Sequence, residues 1–128
     1  MRGSRRARPR HDEANLQQAF VSWLRIQNIC FFSVPNESPR FGSDAQFFGW
    51  QKRLRKTGKR AGAPDIVVVL KCGKTVFMEF KKDSKSKLSK SQRIFHEECP
   101  KKIHVVCSLQ DAINIIKDDT SNESRTEN

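Results

Sequence analysis

The amino-acid sequence predicts an α/β fold: one four-stranded sheet flanked by helices, in the order helix, strand, strand, strand, helix, strand, helix, with an extra helical segment at about residues 37–62. Three observations carry this. The chain has 128 residues, 36% of them hydrophobic, enough for one modest core. Its apolar periodicity switches several times between helical and extended. And Ile66-Val67-Val68-Val69-Leu70, apolar at every position, reads as a central strand buried on both faces.

Each element has its own signal. From Asp12 to about Asn28, Leu16, Phe20, Trp23, Leu24 and Gln27 recur at helical spacing. Cys30 to Val34 forms a short strand, stopped by Pro35-Asn36. Phe47, Trp50 and Leu54 share one helix face beside the basic run Lys52-Arg53-Leu54-Arg55-Lys56. After the strand Ile66–Leu70, the turn Lys71-Cys72-Gly73 brings Thr75–Lys81 back as its hairpin partner. Ser89 and Gln92 have capping-box spacing ahead of Ile94 and Phe95. Ile103–Cys107 is a further strand, and Ser108 with Asp111 opens a last helix carrying Ala112, Ile113 and Ile116.

Formal net charge is +11, a surface that attracts polyanions. No apolar run approaches the roughly 18 residues of a spanning helix, and the arginine-rich start leads into no apolar signal stretch, so nucleic acid is expected as partner rather than a membrane, in a soluble intracellular protein. The four cysteines include no CxxC pair, and no disulfide framework is expected. His96, Cys99, His104 and Cys107 imitate a zinc set, but His104 and Cys107 stand at odd spacing on a strand and point to opposite faces. Residues 1–11, with five arginines, read as a flexible basic arm that either touches phosphates or only solubilises the chain. Residues 12–117 form the domain, and 118–128 read as a disordered polar tail.

The informative side chains lie on the hairpin. With Gly73 in the left-handed turn position, Leu70 pairs with Lys74 and, counting back, Asp65 lies opposite Glu79. Alternation then puts Asp65, Val67 and Val69 on one face with Thr75, Phe77, Glu79 and Lys81. A slip of two residues preserves this and a slip of one destroys it. Two carboxylates about 4 Å apart repel by roughly 4 kcal/mol at an effective dielectric near 20. Lys81 relieves part of that repulsion, and a divalent cation relieves more: magnesium suits two carboxylates and a backbone carbonyl, for which Phe80 is well placed. Glu13 falls on the inward stripe of the first helix with Leu16, Gln17 and Phe20, and Gln92 shares a face with Phe95 and Cys99. Inward polar groups need partners, and one polar cluster at an edge of the sheet satisfies them all. Taken singly, each has an ordinary explanation: a surface ion pair, a turn signal, a charge at a helix start, a cap. Their conjunction in a strongly basic chain points to a site.

Gly62-Ala63-Pro64-Asp65 followed by Glu79-Phe80-Lys81 resembles the PD-(D/E)xK motif of restriction-endonuclease-like nucleases. The wider pattern resembles the virus-type replication-repair nuclease (VRR-NUC) branch: Glu13, Leu16 and Gln17 in a first helix, Val34-Pro35-Asn36 closing a strand, Gly58 and Gly62 before Pro-Asp, and Gln92 after the ExK strand. The resemblance covers about residues 12–117 and leaves 37–57 and both tails unmatched. It implies a restriction-endonuclease-like core with a mixed four-stranded sheet between helices.

The resemblance further implies a Mg2+-dependent DNA endonuclease in which Mn2+ substitutes. Asp65, Glu79 and the Phe80 carbonyl would bind the metal, with Glu13 holding it through water or completing a second site. Lys81 would orient or help deprotonate the attacking water and steady the phosphate, and Gln92 would position Lys81 or the water. Asn36 would touch DNA. Arg53, Arg55, Lys56, Lys59 and Arg60, just before Asp65, would line the DNA path, and Lys82 and Lys85 either join them or form a solvated face. No base-reading helix motif is present, so DNA shape rather than sequence is the expected determinant. Stand-alone members of the branch imply a homodimer acting on Holliday junctions, with Phe47, Phe48 and Trp50 either at the contact or in the core. The alternative is a non-catalytic basic nucleic-acid-binding protein on a nuclease fold.

Overall fold

The computed structural model describes residues 12–35 and 41–126, and side chains as far as Ser121. Helix α1 (Asp12–Ile26) begins with Asp12 and Glu13 at the positive end of its dipole and buries Phe20 and Leu24 completely. It ends in a left-handed turn at Asn28 (φ 59°), where the Ile29 N–H closes on the Leu24 carbonyl at 3.0 Å. Strand β1 (Cys30–Ser33) follows. Helix α2 (Asp44–Lys56) is capped by Ser43, whose hydroxyl accepts from the Gln46 N–H, and buries none of its residues. Strands β2 (Ile66–Val69) and β3 (Thr75–Phe80) form the hairpin. Helix α3 (Lys90–Glu98) starts in a complete Ser89–Gln92 capping box, and β4 (Ile103–Val106) and α4 (Leu109–Thr126) complete the chain.

The sheet runs β1-β2-β3-β4, antiparallel across the first two pairings and parallel across the third, so it is mixed. In the hairpin Ile66 faces Met78 and Val69 faces Thr75. The Leu70 N–H donates to the Lys74 carbonyl at 2.8 Å, and Gly73 takes φ 95° in the turn. This register sets Asp65 opposite Glu79.

The two faces of the sheet differ. Ile66, Val68, Leu70, Val76, Met78, Phe80 and Val106 pack with Phe20 and Leu24 of α1 and Ala112 and Ile116 of α4 into one core. The opposite face carries Val67, Phe77, Glu79 and Ile103, and there Val105 is half exposed. α3 reaches it through Gln92, which touches Glu79 and Lys81. Helices thus stand on both faces of the sheet, as the sequence predicts, but their cover of the two faces is unequal. α3 is short and strongly polar, so it has little apolar surface to lay on the strands.

One departure from the sequence reading is at the C-terminal end. α4 continues to Thr126, past the boundary placed at residue 118. Lys74 in the hairpin turn pairs with Asp119 at 3.3 Å, and the Thr120 hydroxyl donates to the Ile116 carbonyl at 2.8 Å. These local and cross-element contacts compensate for the polar composition. No described helix is long and apolar enough to cross a membrane. The basic arm at residues 1–11 and Asn36 lie outside the described residues.

Candidate active site

Asp65 stands just before β2, and its carboxylate does structural work: Oδ2 accepts from the Phe80 N–H at 2.9 Å, while its backbone N–H donates to the Met78 carbonyl at 2.9 Å. The side chain thereby replaces a ladder bond where the two strands part, and is held against Glu79. Glu79 is 3% exposed, the only charged residue buried among the described residues. Its Oε2 accepts from Gln92 Nε2, whereas Oε1 is buried with no donor reaching it among the described residues.

Burial, first, and then the neighbouring Asp65 carboxylate push the Glu79 carboxyl up to about 8, against a smaller opposing pull from Lys81. Glu13 adds a weaker repulsion. Lys81 Nζ donates to Gln92 Oε1 at 3.0 Å. The same oxygen accepts from the Ser89 N–H at 2.8 Å, and the Ser89 hydroxyl accepts from the Gln92 N–H at 3.2 Å. One capping amide therefore joins the carboxylate to the amine, and the capping box fixes its rotamer.

α3 reaches this position because Gly62 lets it. Gly62 adopts φ 85°, and a Cβ there would lie 2.3 Å from the Ser91 carbonyl oxygen and 2.7 Å from the Gln92 N. Only a residue without a side chain permits that backbone-to-backbone contact. The loop leading to Asp65 is thereby pressed onto the first turn of α3.

Asp65, Glu79 and Gln92 line a cleft of about 530 Å3 together with Glu13, Arg55, Lys59 and Arg60. Carboxylates and cations lining one cleft suit a phosphodiester bridged to a cation. Two of the wall cations are also held within the protein: Arg60 pairs with Glu98 at 2.8 Å and lies over the Phe95 ring, and Lys59 lies over Trp50 at 4.8 Å.

Of the residues singled out in the sequence, Asp65, Glu79, Lys81 and Gln92 are thus brought into one connected cluster, with Glu13 on the same cleft. Arg53, Lys56, Lys81, Lys82 and Lys85 do not line the cleft, and Lys81 meets it only through Gln92. Among the described residues no three His, Cys, Asp or Glu side chains gather to hold an ion, so Glu13 is not a third direct partner of the carboxylate pair. It is exposed at the end of α1, whose apolar stripe packs on the other face of the sheet. The zinc look-alike also forms no cluster, and all four cysteines are free. Sequence reasoning missed Gln51, Leu54, Ser89 and Ser91 as cleft-lining residues. Gln51 had a signal, the helical phase it shares with Arg55, whereas Leu54 reads as part of the apolar face with Phe47 and Trp50. Ser89 had none beyond its cap, and Ser91 had none.

Among solved structures, the chain is similar to a VRR_NUC domain, at a TM-score of 0.58 and 22% identity over 83% of this chain and 95% of that one. A second, described as a VRR_NUC domain protein, superposes at a TM-score of 0.51 with 18% identity, over 82% of this chain and 84% of the other. The chain has the VRR_NUC fold. No family model and no curated protein sequence matches it.

Proposed function

We propose that this protein is a Mg2+-dependent DNA endonuclease that hydrolyses phosphodiester bonds at branched DNA, with Holliday junctions as its preferred form and a homodimer as its working state. The observation that carries this reading is the Asp65–Glu79 pair. Two acids side by side, one of them buried with an oxygen that no donor reaches among the described residues, form an arrangement that a proton or a hard cation completes. The solved VRR_NUC domains lend the fold a nuclease context.

Asp65, Glu79 and the Phe80 carbonyl would hold Mg2+ (Mn2+ substituting), and Glu13 would contribute through water. The bound cation supplies Lewis acidity toward the phosphoryl oxygen and lowers the pKa of a water. The chain's own residues do the rest. Arg55, Lys59 and Arg60 draw the DNA backbone into the cleft and orient it. Lys81, held by Gln92, presents an ammonium to the charge that accumulates on the phosphate and orients the attacking water. Gln92 keeps Lys81 and Glu79 in fixed relation through one amide. Asn36, Lys82 and Lys85 extend the backbone contacts. A two-fold dimer would offer two such clefts to two symmetric strands.

The test incubates labelled junction, flap, single-stranded and duplex DNA with Mg2+, Mn2+ or EDTA. Wild type should nick in metal alone and junction fastest, while Asp65→Ala, Glu79→Ala and Lys81→Ala should still bind DNA and fail to cut. Equal nicking by wild type and Lys81→Ala would sink the assignment. Binding by every variant with cutting by none, wild type included, would leave a DNA-binding protein on a nuclease fold.

A further inference from the structure

Helix α2 buries none of its residues, yet carries three aromatics. Two are engaged: Phe47 and Trp50 pack with Phe41, with ring centroids 5.9 and 5.4 Å from it, and Lys59 covers Trp50. Phe48 is different. It is 65% exposed, and its ring is braced edge-on by Phe47 at 5.5 Å. A braced ring with a free surface loses little conformational freedom on binding.

Its place on the helix ties it to the cleft. Phe48, Gln51 and Arg55 stand at i, i+3 and i+7, on one face, and Gln51 and Arg55 line the cleft. The helical rise sets Phe48 about 10 Å from Arg55 along the axis. The cleft wall therefore continues as a strip with a cation at one end and an open aromatic ring at the other. The helix carries Lys52, Arg53, Arg55 and Lys56 against a single acid, Asp44. A second copy packed on this face would bring like charges together, whereas a polyanion is complementary to it.

We propose that Phe48 is a stacking platform for an unpaired base, so that the cleft takes DNA whose strand leaves the duplex beside the scissile phosphate. This rests on the endonuclease reading and narrows it to branched DNA, the opened centre of a junction included, whose nucleotides unstack beside the cut. A base offers its face to an aromatic ring only when it is free of its duplex neighbours, and stacking of this kind tolerates any base.

The experiment measures equilibrium binding in EDTA by fluorescence anisotropy. It uses a single strand, the same strand made of abasic nucleotides, and the matched blunt duplex, with wild type, Phe48→Ala, Phe48→Trp and Arg55→Ala. Wild type should prefer the normal single strand over the abasic one. Phe48→Ala should lower that preference by about tenfold, Phe48→Trp should restore it, and Arg55→Ala should weaken all three DNAs alike. Circular dichroism and light scattering accompany each variant. Equal losses on normal and abasic strands, no loss at all, or a dimer that falls to monomer in Phe48→Ala would each overturn the proposal, the last by showing that a second copy covers the ring. Cutting is scored separately, in Mg2+, with wild type and Asp65→Ala. Base-dependent binding without any cutting refutes the endonuclease reading alone, and cutting without base dependence refutes the stacking alone.

Discussion

At the scale of single residues, Glu79 dominates. Its carboxyl is raised to about 8 by burial and by Asp65, so the fold prefers its neutral form. The sign follows by linkage. Stability from this preference is complete below about 4.5, the ordinary value, and is lost as pH rises through about 8. Glu79→Gln, which keeps the shape and removes the charge, should therefore raise the metal-free melting temperature at pH 8–9 and leave it nearly unchanged near pH 4.5. Melting curves in EDTA across that range check this, and parallel pH profiles for the two proteins would refute it. A cation must displace the same proton, so Mg2+ affinity measured by calorimetry should climb with pH up to about 8, with proton release that Glu79→Gln lacks.

Residue identity here was readable in advance because the hairpin constrains it. Gly73 fixed the turn, the turn fixed the register, and the register fixed the partner of Asp65. What stayed hidden was the depth of Glu79's burial and the bridging by Gln92. Burial depends on what packs above a strand. Sequence spacing showed Gln92 as a cap, and it is one, but its side chain also reaches Glu79 and Lys81.

At the scale of elements, the site depends on how α3 meets the loop before β2. Gly62→Ala places a methyl group into the Ser91 backbone and strains a positive φ, which should cost about 3 kcal/mol and displace Gln92. Gly58→Ala is the matched control. It also has a positive φ but open space around it, so it should cost about 1 kcal/mol. Urea midpoints of the two variants measure the difference, and equal midpoints would show that the loop yields freely. Both glycines enter the sequence reading only through the resemblance, as the glycine-containing approach to Pro64-Asp65. Which of them bears a close contact was not legible, because the contact is with a helix that starts 28 residues later.

At the scale of the whole molecule, a net charge of +11 would make the proposed association with DNA largely a matter of counterion release. Junction binding should weaken steeply and log-linearly with salt in EDTA. Removing Arg55 should lower the slope by about 1, the value for one phosphate contact. An unchanged slope would place that cation off the DNA path. The homodimer is testable by light scattering at micromolar concentration, and a monomer there would remove the symmetry argument for four-way junctions.

What depends on neighbours along the chain could be counted from the residues: the order of elements, the hairpin register, the capping box, and hence the meeting of Asp65 with Glu79 at one end of a central pair of strands. Only packing set the unequal cover of the sheet's two faces, the exposure of Phe48, the separation of Glu13 from direct contact with the carboxylate pair, and the extension of α4 to Thr126. The physical reason is range. Backbone geometry and alternation act over a few residues and can be counted from the chain, whereas burial and cleft shape are set by the packing of elements distant in sequence, whose placement no local pattern encodes.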